Sequence, residues 1–115
     1  EVLDDHRLRC GAGARLKDVA YVARNHGIGG LEFLEGIPGN VGGAMRMNAG
    51  AMGASTFETI ESVRFMTSGG EVATRDVADV AFQYRSCPMF KENIALGAVF
   101  KGSPASPDVI RERME

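Results

Sequence analysis

The run Ile37-Pro38-Gly39-Asn40-Val41-Gly42-Gly43, followed by Met47-Asn48-Ala49-Gly50-Ala51, is where this chain concentrates residues able to meet a ligand. Small side chains let backbone N–H groups approach a bound group closely, as a pyrophosphate or the edge of an isoalloxazine ring requires. Asn48 adds one polar side chain that could orient it. The same glycines would also serve tight turns and close backbone packing, and spacing alone leaves both readings open.

Better-known chemical motifs fail on inspection. Gly11-Ala12-Gly13 between a strand and a helix invites a dinucleotide-fold reading, but the third glycine of GxGxxG would fall at Leu16. Gly39 to Gly43 is glycine-rich like a phosphate loop, yet no Gly-Lys-Ser/Thr closes it. Ser55 follows Gly53 but lacks the second glycine of a nucleophile elbow. Neither Cys-x-x-Cys nor His-Glu-x-x-His occurs, so we expect no metal site, and Cys10 and Cys87 read as small buried hydrophobes.

Elements of recognisable period must hold the glycine-rich run. His6 to Cys10 alternates polar and apolar residues as a half-buried strand does, ended by Gly11-Ala12-Gly13. Leu16, Val19, Ala20 and Ala23 stand at i, i+3, i+4 and i+7, which predicts a helix over 15–26 with His26 as a partner for its C-terminal dipole. Gly29 to Gly36 reads as a second short helix with Leu31 and Leu34 inward and Glu32 and Glu35 in water. From Gly39 to Gly53 no period survives, so a packed loop is expected. Ile60 to Thr67 and Glu71 to Arg75 read as a hairpin about Ser68-Gly69-Gly70, and Ile94 to Phe100 as an interior strand. Residues 76–90 read as turns and short helix. Ser106-Pro107 starts a last helix, with Ser as N-cap and Pro at the first helical position.

At 115 residues the chain is a single small domain at most. A net charge of -2 supplies no basic field for nucleic acid, and no apolar run approaches the roughly twenty residues that span a bilayer. Two cysteines are too few for a disulfide framework, which favours a cytoplasmic setting. A first residue other than Met and an uncapped last helix lead us to expect a segment of a longer protein.

The stretch from Gly30 to Ala51 resembles the flavin-binding segment of the MurB family of UDP-N-acetylenolpyruvoylglucosamine reductases. Tyr84-Arg85-Ser86 is similar to that family's arginine-bearing segment, and Ile94 to Phe100 to the strand after it. Together these cover most of residues 7–101. The resemblance implies one α+β lobe, the second, of a vanillyl-alcohol-oxidase-like (PCMH-type) FAD-binding domain: a small mixed or antiparallel sheet with helices packed on it. On that reading 1–105 form the lobe and 106–115 begin a helix leading to a substrate-binding domain. The other flavin lobe and that domain would be supplied in cis or trans. Met52 departs from the family, where many members have Tyr.

The resemblance further implies FAD as cofactor, NADPH as hydride donor and a UDP-sugar as substrate, in peptidoglycan synthesis. Arg85 would be the catalytic residue, its planar fork meeting the substrate carboxylate, with Tyr84 beside it in substrate binding. Pro38, Gly39, Asn40, Val41, Gly42, Gly43, Asn48, Ala49, Gly50, Ala51 and Ile94 would contact the flavin. Arg46 would either meet the FAD phosphates or stand solvated. Two alternatives stay open: a lobe of another FAD-dependent oxidase of the same superfamily, or a non-enzymatic binding module.

Overall fold

The computed structural model describes residues 1–51, 53–82 and 87–114. Met52 and the predicted Tyr84-Arg85-Ser86 segment, with its catalytic and substrate-binding assignments, lie outside the described residues. In chain order the elements are β1 (Val2–Leu3), β2 (Arg7–Gly11), α1 (Leu16–Asn25), β3 (Ile28–Gly29) and a 3₁₀ turn at Glu32–Gly36. Next come α2 (Val41–Met47), β4 (Gly50–Ala51), β5 (Ala54–Ser55), a 3₁₀ turn at Thr56–Glu58, β6 (Ile60–Met66) and β7 (Val72–Asp76). A 3₁₀ turn at Val77–Asp79, α3 (Met89–Glu92), β8 (Ile94–Lys101), β9 (Ser103–Pro104) and α4 (Pro107–Met114) complete the described chain.

Alternation builds the main sheet, five strands in the order β1-β2-β8-β6-β7 with every pairing antiparallel. Leu8 and Cys10 of β2 face Phe100 and Ala98 of β8, and Ala98 faces Val63 of β6 on its other side. All five side chains are buried, so one face of the sheet carries the core. The strand expected to be interior, β8, is the central one. The hairpin of β6 and β7 forms as its pattern predicts, pairing Met66 with Val72 at the turn. The α+β class that the resemblance implies therefore holds, and of the mixed or antiparallel sheet it allows, the antiparallel form is present.

Helix α1 buries Leu16, Val19, Ala20 and Ala23, the stripe its spacing demands. The helix expected over Gly29 to Gly36 is instead a two-residue strand and a 3₁₀ turn. Gly30 sits at φ +99°, outside the helical region, and Leu31, Phe33 and Leu34 are all buried, a set that an α-helical period does not put on one face. Glu32 does not face water: its side chain is 11% exposed, accepts the Gly30 N–H at 3.0 Å and pairs with Arg113 at 3.4 Å. That ion pair and the buried Ile110 fasten α4 to the lobe. The Ser106 hydroxyl accepts the Val109 N–H at 3.3 Å, the cap its sequence predicts.

The largest departure from expectation is at Gly39 to Gly53. Much of this stretch is helix α2, followed by the β4–β5 hairpin. Two glycines depress helix propensity by about 1 kcal/mol each and hide the pattern. Tertiary contacts override that cost: Val41, Ala44 and Met45 recur at helical spacing and are buried, and the Asn40 side chain caps the helix by accepting the Gly43 N–H at 3.0 Å.

Candidate functional site

Helix α2 divides two concavities. The larger, about 650 Å³, runs between the turn after β2 (Ala12, Gly13), the α2 residues Gly42, Gly43 and Arg46, and the α3–β8 segment from Phe90 to Ala95. The smaller, about 300 Å³, is lined by Leu16, Ile37 to Asn40, Ala44, Met47, Ala49 and Gly50. Asn40 and Gly43 line both, so a side chain at 43 would project where the two meet. These volumes fall within or at the edge of the range of small-molecule sites.

The structure therefore brings many of the expected cofactor contacts together. Asn40, Gly42, Gly43 and Ile94 line the larger groove, and Pro38, Gly39, Ala49 and Gly50 the smaller. Val41 lines neither because it is fully buried in the core, and Ala51 packs half-buried against that core. Asn48 is 3% exposed, and its Oδ1 accepts the Phe57 N–H at 3.0 Å. Two apolar side chains remain in the open, Ile94 at the larger groove and Met47 at the smaller, 62% and 59% exposed. Exposed apolar atoms at a groove are what a flat aromatic ligand would cover.

The backbone donors behave differently from the simple expectation. The Val41 N–H donates to the Ala14 carbonyl and the Gly42 N–H to the Ala12 carbonyl, both at 2.9 Å, while Gly43 donates to Asn40. The first turn of α2 thus spends its amides inside the fold. Glycine at 42 answers a packing need, because a Cβ there would stand 3.2 Å from the Ala12 Cβ. At 43 a Cβ would meet only the Asn40 Oδ1, at 3.5 Å, so that glycine keeps the groove wall low.

Several groove residues had no site reading in the sequence. Ala12 and Gly13 carried a signal, the glycine-bounded turn between β2 and α1, but it fits no dinucleotide fingerprint. Phe90, Lys91 and Asn93 sit on or beside a four-residue helix too short to show a period. Arg46 and Lys91 both line the larger groove, with Glu92 between Lys91 and Asn93. The two thiols lie apart from this chemistry. Burial pushes Cys10 up to about 11 and raises Cys87 too, the latter against opposing backbone hydrogen bonds from Met89 and Phe90.

A family model described as an FAD binding domain matches residues 1–75. The chain belongs to this family of FAD-binding domains. The further resemblance to UDP-N-acetylenolpyruvoylglucosamine reductases also holds. The chain is 44% identical over 114 residues to the reductase of that name from Maricaulis maris, covering 99% of this chain and 36% of the relative. It is 41% identical to the one from Erythrobacter litoralis, over 100% of this chain and 36% of that protein. The crystal structure of UDP-N-acetylenolpyruvylglucosamine reductase (MurB) from Thermus caldophilus superposes with a TM-score of 0.83 at 30% identity, covering 97% of this chain and 42% of that one. The chain thus spans little more than a third of the length of the curated relatives it matches.

Proposed function

We propose that this chain is the second flavin lobe of a UDP-N-acetylenolpyruvoylglucosamine reductase. In this reading the longer protein takes hydride from NADPH and reduces the enolpyruvyl group of a UDP-sugar, for peptidoglycan synthesis in the cytoplasm. Residues 1–105 make the lobe, and 106–115, fastened to it by Ile110, lead toward a substrate-binding domain. The observation that carries the reading is similarity to proteins of this name along 99% of the chain.

When bound, FAD supplies the hydride chemistry. The residues present fit such a group. Pro38, Gly39, Asn40, Gly42, Gly43, Ala49, Gly50 and Ile94 offer small or apolar surface for direct contact with it. Val41, Asn48 and Ala51 hold the backbone behind that surface. Arg46 and Lys91 supply cations suited to a diphosphate at the rim of the larger groove. Arg85 is assigned to the substrate carboxylate: hydride addition to the enolpyruvyl double bond drives negative charge toward that group, and a fixed guanidinium fork stabilises it most where charge develops. Tyr84 is assigned to the substrate beside it.

The test is Arg85→Ala in the full-length protein. Turnover of the enolpyruvyl substrate should fall by about 100-fold or more, the scale of losing one transition-state donor. Flavin reduction by NADPH, followed by bleaching of the cofactor's visible absorbance, should stay within about twofold. Equal losses in both steps, or none in either, overturn the assignment.

A further inference from the structure

Helix α4 and the smaller groove are held by the same 3₁₀ turn, Glu32–Gly36. On one side, both Glu32 carboxylate oxygens accept the Gly30 N–H, at 3.0 and 3.1 Å, and Oε1 takes the Arg113 guanidinium of α4 at 3.4 Å. On the other, the turn packs against β4, whose Gly50 lines the smaller groove, and its chain runs directly into Ile37, Pro38 and Gly39 of the groove wall. The Ile37 N–H closes the turn on the Leu34 carbonyl at 3.2 Å, and the Gly39 carbonyl accepts the Leu16 N–H at 3.1 Å.

We propose that Glu32 is a positioning residue: its clasp on Arg113 makes α4 part of the support of the cofactor groove, so that docking of α4 and filling of the groove favour one another. The proposal rests on the reading that the flavin occupies the surface divided by α2. A carboxylate only 11% exposed is costly to hold in place unless its charge is met, and among the described residues Gly30 and Arg113 are the groups that meet it. When α4 leaves, a single N–H remains to the carboxylate and water must reach it, which opens the turn and moves Ile37 to Gly39 with it. Coupling of this kind is reciprocal, so a ligand seated on those residues also holds α4 down.

The ligand-free chain tests the clasp itself. In Arg113→Ala the backbone amide NMR resonances of Ile37, Gly39 and Gly50 should move, and Glu32→Gln should move the same set. Movement confined to α4 and residues 29–32 would overturn the proposal. A titration with FAD tests the coupling: Arg113→Ala should bind about threefold more weakly than wild type, within what one ion pair near a surface supports, and Arg113→Lys, which keeps the charge, should regain part of the loss. Saturating FAD should in turn slow trypsin cleavage after Arg111 about threefold in wild type and leave it unchanged in Glu32→Gln. Equal FAD affinity in wild type and Arg113→Ala, or wild-type cleavage after Arg111 that ignores bound FAD, would overturn the proposal. If the wild-type chain binds no FAD, the reading of the groove as a flavin site fails, while the amide resonances still judge the clasp.

Discussion

Asn48 and Phe57 meet where α2 ends: the Asn48 Oδ1 accepts the Phe57 N–H at 3.0 Å, from a backbone at φ +44°. One residue thereby stops the helix in the left-handed region, which asparagine tolerates better than most, and satisfies a buried donor nine residues on.

Replacing Asn48 separates these two jobs. Asn48→Ala leaves the Phe57 N–H unsatisfied and forces a Cβ-bearing residue without local hydrogen bonding into the left-handed region, costing about 2–4 kcal/mol together. Asn48→Gly also loses the side chain but keeps a backbone at ease in the left-handed region, and should cost less. Urea denaturation should rank wild type above Asn48→Gly above Asn48→Ala. An alanine variant as stable as the glycine one would contradict this account of the turn.

The adjacent glycines of α2 should respond with opposite signs. Both gain roughly 1 kcal/mol of helix propensity on going to alanine. At Gly42 that gain is opposed by Ala12, whose Cβ and carbonyl oxygen lie 3.2 and 3.4 Å from the new methyl and whose backbone is held by its own bond to Gly42. Thermal melts should show Gly42→Ala less stable than wild type and Gly43→Ala more stable by about 0.5–1 kcal/mol. Equal shifts would mean that the Ala12 turn yields freely.

This pair also explains how far the sequence could be read. Helix α1 and strands β2, β6, β7 and β8 announce themselves because Leu16, Val19, Ala20 and Ala23, or Leu8 and Cys10, repeat with the period of their element. Helix α2 stays hidden because Gly42 and Gly43 are chosen for approach to Ala12 and for an open groove, not for propensity. The Glu32 turn is misread because two glutamates suggest a solvated face, whereas the partner that draws Glu32 inward, Arg113, lies 81 residues away. The composition of the glycine-rich run offers two readings, ligand contact and close backbone packing, and at Gly42 the structure shows the second. That its first amides are spent on Ala12 and Ala14 is not legible there, since both acceptors belong to a turn remote in sequence.

Stability should fall at alkaline pH through Cys10. Burial holds the folded thiol near 11 against an ordinary 9.0. The raised folded value means the unfolded chain loses this proton first, so the stabilising contribution is whole below about 9 and declines as pH rises toward 11. Across that window the loss is about 2–3 kcal/mol. Cys87 is raised as well and acts in the same direction. Urea midpoints of Cys10→Ala between these pH values should slope less steeply than wild type. Identical slopes would remove Cys10 as a cause.

The central claim is that the flavin occupies the surface divided by α2, and Gly43, which lines both concavities, is the place to test it. The measurement is a titration of the chain with FAD, read by quenching of flavin fluorescence, for wild type, Gly43→Ala and Gly43→Leu. Leucine is a good helix former and should leave the fold intact while filling the groove. The account predicts saturable binding by wild type, little change for alanine, and a loss of about tenfold or more for leucine, the scale of one displaced contact worth about 1.4 kcal/mol. Equal FAD affinity in all three, with the leucine variant folded, would contradict it.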